Sequence, residues 1–314
     1  MGDPGVAAVE FGIQLPIQAQ SSLFVEPWEA GAGASELTAI AQACEQAGFS
    51  YVAVCDHIAV PADKAEAMGT TWWDTVATLS YLAAVTTRVR LLSHIACVAY
   101  RHPLQTAKQW LTLDNLSSGR TIVGVGAGHV DGEFAALGID FRRRGALLDE
   151  AIDALRTAFA DEFSSHSGTE WSWKEMGQRP RPIQDTIPIW VAGSSDAAIR
   201  RAATRGDGWL PQGPPPDGMA AAVARLHEWR DQAGRADQAF AVGGLSGPLY
   251  IGTAGCDERR SVSGTPDRIA GYLRTLTDAG VDQIQVAFRS RDHHELCDQI
   301  AAFAAEVAPL VRKD

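Results

Sequence analysis

Asp56-His57 closes a run of strand-forming residues, Tyr51-Val-Ala-Val-Cys55. A histidine at a strand end facing a pocket can take or give a proton near neutral pH. The pair also fits a plainer role, with Asp56 capping the next loop and His57 at a polar rim. Gly193-Ser194-Ser195-Asp196 joins a second apolar run to a helix-period segment. Backbone N–H groups at such a helix start, unencumbered beside glycine, suit a phosphate. The plainer role there is for Ser195 to cap the helix. Gly124-Val-Gly-Ala-Gly128 spaces its glycines as G-x-G-x-G, which is not the G-x-G-x-x-G of dinucleotide sites. In a barrel such glycines would let a flat ring system lie close to the backbone.

Other polar residues carry less. His129, Asp131 and Glu133 alternate after the same glycines, but no H-E-x-x-H or Cys/His spacing accompanies them. They read as a solvated polar loop. His293 and His294 are adjacent and cannot both face one site on a helix, so no metal is expected. Arg289 and Arg291 could hold an anion. There is no G-x-S-x-G elbow, and the five cysteines (44, 55, 97, 256 and 297) form no C-x-x-C pair. They read as reduced, buried thiols.

The elements that must position these residues alternate regularly. Strand-like runs are expected at Val9–Leu15, Tyr51–Cys55, Val89–Val98, Thr121–Gly126, Ile187–Ala192, Gly208–Pro211, within Phe240–Ile251 and at Gln283–Phe288. Helix-period segments follow at Glu36–Ala47, with Ser35 as cap and Gly48 as stop, then at Asp74–Thr86, Pro103–Leu116 and Gly145–Ala160. Further helices read at Asp196–Arg205, Met219–Ala233, Pro266–Ala279 and Glu295–Val311. Eight strand–helix units in one chain argue a single α/β domain built as a closed (β/α)8 TIM barrel, with a doubly wound open sheet as the alternative. The segment 161–186 breaks the pattern and reads as an inserted loop or hairpin, of a length often used as a lid. Residues 1–8 read as a loose N-terminal arm.

Composition limits the partners. Among 314 residues, 27 Lys+Arg against 38 Asp+Glu give a net charge of −11. That balance disfavours nucleic acid and anionic membranes as partners. No apolar run is long enough to span a bilayer. The start, MGDPGVAAVE, has neither the basic head nor the apolar stretch of a secretory signal, so a cytoplasmic location is expected.

Five segments in order along the chain resemble the luciferase-like flavin and deazaflavin oxidoreductases. They are EQAGFSYVAVCDH (45–57), TRVRLLSHIACVAYRHP (87–103), TLDNLSSGRTIVGVGAGHVDGEFAALG (112–138), PIWVAGSSDAAIRRAATRGDGW (188–209) and GTPDRIAGYL (264–273). The resemblance implies a TIM barrel with an insertion after strand four, and it leans to the branch using coenzyme F420, with FMN as the alternative. It implies that Asp56 and His57 sit against the coenzyme ring, with His57 as proton donor or acceptor and Asp56 orienting it or touching the ring. A non-proline cis peptide that props the ring from behind in that branch corresponds to His94–Ile95. Gly126, Ala127, Gly128 and His129 correspond to contacts with the ring and ribityl chain. Ala192, Gly193, Ser194 and Ser195 correspond to the phosphate site.

The chain departs from the family's F420-dependent sugar-phosphate dehydrogenases. Pro61 replaces a tryptophan four residues after His57, and His129 replaces a glutamate, so glucose-6-phosphate is not expected as substrate. The implied activity is hydride transfer between the deazaflavin C5 and a small organic molecule, in a homodimer. An FMNH2-dependent monooxygenase and a non-catalytic flavin or deazaflavin binder are the alternatives. The long loops 16–33, 61–73 and 161–186 are expected to wall the pocket. Trp28, Trp72, Trp73, Trp171 and Trp173 either face an apolar, planar substrate there or pack the loops down.

Overall fold

The computed structural model describes residues 9–22, 25–253 and 261–312. The expected N-terminal arm and Cys256 lie outside the described residues. The main strands are β1 Glu10–Gln14, β2 Tyr51–Val54, β3 Arg90–Ser93, β4 Thr121–Val125, β5 Ile189–Ala192, β6 Gly208–Leu210, β7 Ala241–Ile251 and β8 Gln283–Phe288. The helices covering them are α1 Ala34–Gln46, α2 Thr75–Val85, α3 Pro103–Leu116, α4 Arg144–Ala160, α5 Asp196–Arg205, α6 Met219–Gln232, α7 Pro266–Thr277 and α8 His293–Ala302. Each strand pairs in parallel with the next. β8 returns to β1 with Glu10 opposite Gln283 and Ile13 opposite Val286, which closes the ring. The fold is the (β/α)8 barrel, not the open sheet.

Parallel strands covered on both faces read as near-continuous apolar runs, and β2, β4 and β5 are buried at every position. Their residues alternate between two cores. Tyr51, Ala53, Leu92, Ile122 and Trp190 fill the inside of the barrel, while Val52, Val54, Leu91, Val123 and Val191 pack outward beneath the helices. Crowding inside dictates one residue type. A Cβ at Gly12 would lie 2.1 Å from Tyr51 Cζ, so β1 carries glycine where the tyrosine leans across it. Tyr51 then meets Trp190 edge-on, with centroids 5.6 Å apart.

Helix starts follow local chemistry. Asp74 Oδ1 accepts from Ala77 N at 2.8 Å to cap α2, and Pro103 opens α3, where a missing N–H costs nothing. α1 starts earlier than expected, capped at Gly33 and not Ser35. Glu36 in its first turn accepts from the Gly33 N–H at 2.8 Å and from the Ser35 hydroxyl at 3.0 Å. β3 is shorter than the expected Val89–Val98: it ends at Ser93, and the His94–Ile95 peptide that follows is cis. The last helix begins at His293 and widens into a π turn at Phe303–Val307.

The 161–186 insertion forms an antiparallel hairpin, Phe163–Ser167 with Ser172–Gly177. Glu150 of α4 accepts from the N–H groups of Thr169, Glu170 and Trp171 at 2.8–3.0 Å. Buried Asp114 of α3 accepts from Ile183 N at 2.7 Å and Gln184 N at 3.2 Å. Arg181 donates to the Ala158 and Phe159 carbonyls at the end of α4, where a cation complements the helix dipole. These bonds hold the insertion along α3 and α4, and none of its residues lines the cleft described below. Trp173 lies 4.9 Å from the His166 ring, and Trp171 packs with Phe134 and Leu147; neither walls the pocket.

Candidate active site

The C-terminal ends of the strands converge on a cleft of about 830 Å³, a size typical of sites for cofactors and small ligands. Asp56, His57, His94, Ile95, Gly126, Ala127, Gly128, His129, Ala192, Gly193 and Ser195 all line it. Ser194 does not. Its hydroxyl donates to Gly213 O at 2.7 Å and accepts from Gln212 N at 2.9 Å, fastening the β5 and β6 loops together.

His57 is held by a carboxylate distant in sequence. Its Nδ1 lies 2.9 Å from Glu133 Oε2, which also accepts from the Tyr100 hydroxyl at 2.9 Å. Glu133 Oε1 accepts from Ile58 N at 2.5 Å and Ala59 N at 3.1 Å. Burial alone would raise this carboxyl. The hydrogen bonds from His57, Ala59, Ile58 and Tyr100 outweigh that and hold it below the usual carboxylate range. An ionised Glu133 keeps the imidazole proton on Nδ1, so Nε2 is the nitrogen left to the cleft as an acceptor. The ring sits edge-on between Trp72 at 4.4 Å and His129 at 5.6 Å. Burial, followed by the neighbouring His57, lowers His129, with Glu133 opposing.

Glu133 was missed as a site residue, because 129–133 is not a solvated polar loop. Asp131–Ala136 is a short helix, and its Glu133 side chain is only 1% exposed. One signal was available: helical spacing puts Glu133 beside Val130 and Phe134, both apolar and both buried.

While Glu133 holds His57, the Asp56 carboxylate forms a bidentate pair with Arg101, at 2.8 and 2.9 Å, and accepts from Cys97 N at 3.1 Å. This pair ties the loop after β2 to the segment following the cis peptide. Cys55 and Cys97 are pushed up to about 12, chiefly by burial, and stay protonated at neutral pH.

His94 Nδ1 lies 3.0 Å from Gln14 Oε1, and its Nε2 lies 3.0 Å from Gln212 Nε2. Gln285 Nε2 also lies 3.4 Å from Nδ1, so three side-chain amides hold the ring. Burial pushes His94 down to about 4, which keeps it neutral. Beside it, a Cβ at Gly126 would lie 2.3 Å from Ile95 Cδ1, and one at Gly128 (φ +80°) would lie 2.7 Å from the Phe134 ring. Gly126 and Gly128, with only the Ala127 methyl between them, make a low wall beside Ile95, which fits a planar ring system. Arg142, Arg144 and Arg201 also line the cleft. Arg289 and Arg291 are not among its lining residues; they pair with Glu26 and Glu295.

A family profile described as luciferase-like monooxygenase matches residues 9–255. This chain belongs to that family. An uncharacterized protein of Mycobacterium tuberculosis is 33% identical over 262 residues, which is 80% of this chain and 84% of that one. An F420-dependent hydroxymycolic acid dehydrogenase of the same organism is 32% identical over 179 residues, covering 56% of this chain and 48% of its own. Among solved structures, a riboflavin lyase with modified FMN and riboflavin shares the fold at a TM-score of 0.81 and 17% identity, over 98% of this chain and 92% of that one.

In this luciferase-like barrel the two expected N-terminal loops contribute to the cleft lining. They supply Ala19, Ser21, Ala67, Met68 and Trp72. Trp28 and Trp73 instead pack on the main core, Trp28 with its Nε1 on Ser290 Oγ at 3.2 Å.

Proposed function

We propose that this protein is an F420-dependent oxidoreductase that moves a hydride between the deazaflavin and a small organic substrate. The observation that carries the reading is the His57–Glu133 pair, at 2.9 Å, with Nε2 left to the cleft. Kinship with a dehydrogenase named for F420 supports the choice of coenzyme. The wall of Ile95 and Gly126–Gly128 would hold the ring, and the Gly193–Ser195 turn would hold the phosphate. When bound, the deazaflavin supplies a two-electron hydride acceptor or donor.

The chain's own residues supply the proton chemistry. In alcohol oxidation a C–H bond gives up a hydride while the hydroxyl proton passes to His57 Nε2. In carbonyl reduction the same nitrogen returns it. Glu133 neutralises the imidazolium that forms, and such a positioned acid–base group contributes about 10²–10⁴ in rate. Ala19, Ala67, Met68 and Trp72 make the substrate wall apolar, which suits an uncharged alcohol or carbonyl compound.

The test is a fluorescence titration with F420 and, separately, FMN, followed by turnover of the His57→Ala variant. F420 binding well tighter than FMN, with turnover lost and coenzyme affinity kept in the variant, is the expected result. Preference for FMN would move the case to oxygen chemistry. Turnover retained without His57 would remove it from the mechanism.

A further inference from the structure

Two loops far apart in sequence meet beside His57 as a short clasp. Ala19 and Trp72 lie opposite one another in an antiparallel bridge. Gln20 N donates to Thr71 O at 3.0 Å, and Trp73 N donates to Gln18 O at 2.9 Å. Ala19 and Trp72 both line the cleft, and the Trp72 ring lies 4.4 Å from the His57 ring. Trp72 Nε1 donates to Gly69 O at 3.3 Å, within its own loop. The one donor of the indole is thus engaged, and the side chain offers the cleft only carbon.

The clasp rests on a strained joint. Ile17 is fully buried with φ +73°, a conformation that a β-branched residue keeps only where its surroundings hold it. Glu29, 3% exposed in the short helix Pro27–Gly31, supplies the hold. Its Oε2 accepts from Ile17 N at 2.7 Å and its Oε1 from Glu26 N at 2.8 Å. Its main-chain carbonyl accepts from Gln20 Nε2 at 3.1 Å. One residue therefore fixes both ends of the stretch 17–20, yet Glu29 is not among the residues lining the cleft.

We propose that this clasp sets the size of substrate that reaches His57, with Trp72 as the specificity-determining residue and Glu29 as a positioning residue acting through it. This rests on the F420 reading and deepens it. The cleft of about 830 Å³ must take the coenzyme as well, so the space beside Trp72 suits a short alcohol or its carbonyl counterpart.

The experiment has two arms, both on the full-length protein. The first follows hydrogen exchange, without coenzyme, in the wild type and in Glu29→Gln, whose NH2 must turn toward one of the two N–H donors. Amides of 18–20 and 71–73 should exchange roughly 3–10-fold faster in the variant, with β4 and β5 unchanged. Unchanged exchange at the clasp overturns the role of Glu29. The second arm compares kcat/KM for propan-2-ol and for 4-phenylbutan-2-ol with F420. Trp72→Ala should shift the ratio toward the bulky alcohol by roughly 10–100-fold, since one methylene in an apolar pocket is worth about 10-fold or more. Trp72→Phe, which keeps an aromatic ring, should shift it less. Glu29→Gln should shift it the same way by roughly 3–10-fold, and should add nothing in the Trp72→Ala background. A ratio unmoved by Trp72→Ala, or a Glu29→Gln effect that persists without Trp72, overturns the proposal while the F420 reading stands. Turnover of neither alcohol by the wild type or Trp72→Ala overturns the short-alcohol class, and failure to bind F420 overturns the reading beneath it.

Discussion

Replacing Glu133 by glutamine keeps the side-chain volume and removes the charge. The carboxylate now accepts four hydrogen bonds, from His57 Nδ1, the Tyr100 hydroxyl, Ile58 N and Ala59 N. The glutamine carbonyl can still serve the two backbone N–H groups, so its NH2 must face His57 and Tyr100. Two donors would then meet unless His57 moves its proton to Nε2, which turns the cleft-facing acceptor into a donor. A hydrogen bond to a charged group contributes about 1.5–3 kcal/mol, so at about 1.4 kcal/mol per decade kcat/KM should fall roughly 10–150-fold. The loss should appear in kcat, with F420 affinity and the melting temperature close to wild type. The assay is steady-state alcohol oxidation followed by coenzyme absorbance, with nitrogen NMR of His57 reporting the tautomer. Wild-type turnover with an unchanged tautomer would refute the reasoning.

Two other perturbations probe the scaffold beneath the site. Arg101→Leu strands the Asp56 carboxylate, whose side chain is 2% exposed, and breaking such a pair costs about 3 kcal/mol or more. Urea unfolding should show the loss, and an unchanged midpoint would mean that the pair does not hold these loops together. His94, pushed by burial down to about 4 from 6.5, binds its proton more readily in the unfolded chain. Its contribution to stability is therefore present above about pH 6.5 and lost as pH falls toward 4. Asp282, raised by burial to about 6, works in the opposite sense over much of that window. The difference between wild type and His94→Asn isolates the histidine, and thermal melts of the two should converge as pH drops; parallel curves would contradict this.

Elements whose ends carry their own chemical punctuation were legible residue by residue. Pro103 opens α3, Ser195 caps α5, and β8 keeps the expected span Gln283–Phe288. The expectation slipped where tertiary structure intervened, as in β3, which the sequence extends to Val98 and the structure ends at Ser93. His94, Ile95 and Ala192 came from the family resemblance, whereas Asp56, His57 and the Gly193–Ser195 turn were legible from the strands they follow. Their charge partners were not. Glu133 lies 76 residues from His57, and Arg101 lies 45 from Asp56. Such pairings depend on how the loops after β2, β3 and β4 fold over one another, and no periodicity encodes that. The hairpin was foreseen as a possibility, but not Glu150 and Asp114, which draw it down onto the helices.

Barrel closure has a consequence for synthesis. β1 gains its β2 neighbour early, but its other edge belongs to β8, with Glu10 opposite Gln283. About 270 residues separate the two, so a ribosome adding about 5–20 residues per second delivers that partner roughly 14–55 s later. Throughout that interval the free edge of β1 offers unpaired N–H and C=O groups to any passing strand, with Phe11 and Ile13 beside them. The ring that shields every strand in the finished protein leaves the first one unguarded during translation, and a chain released before Phe288 is a sheet with two open edges.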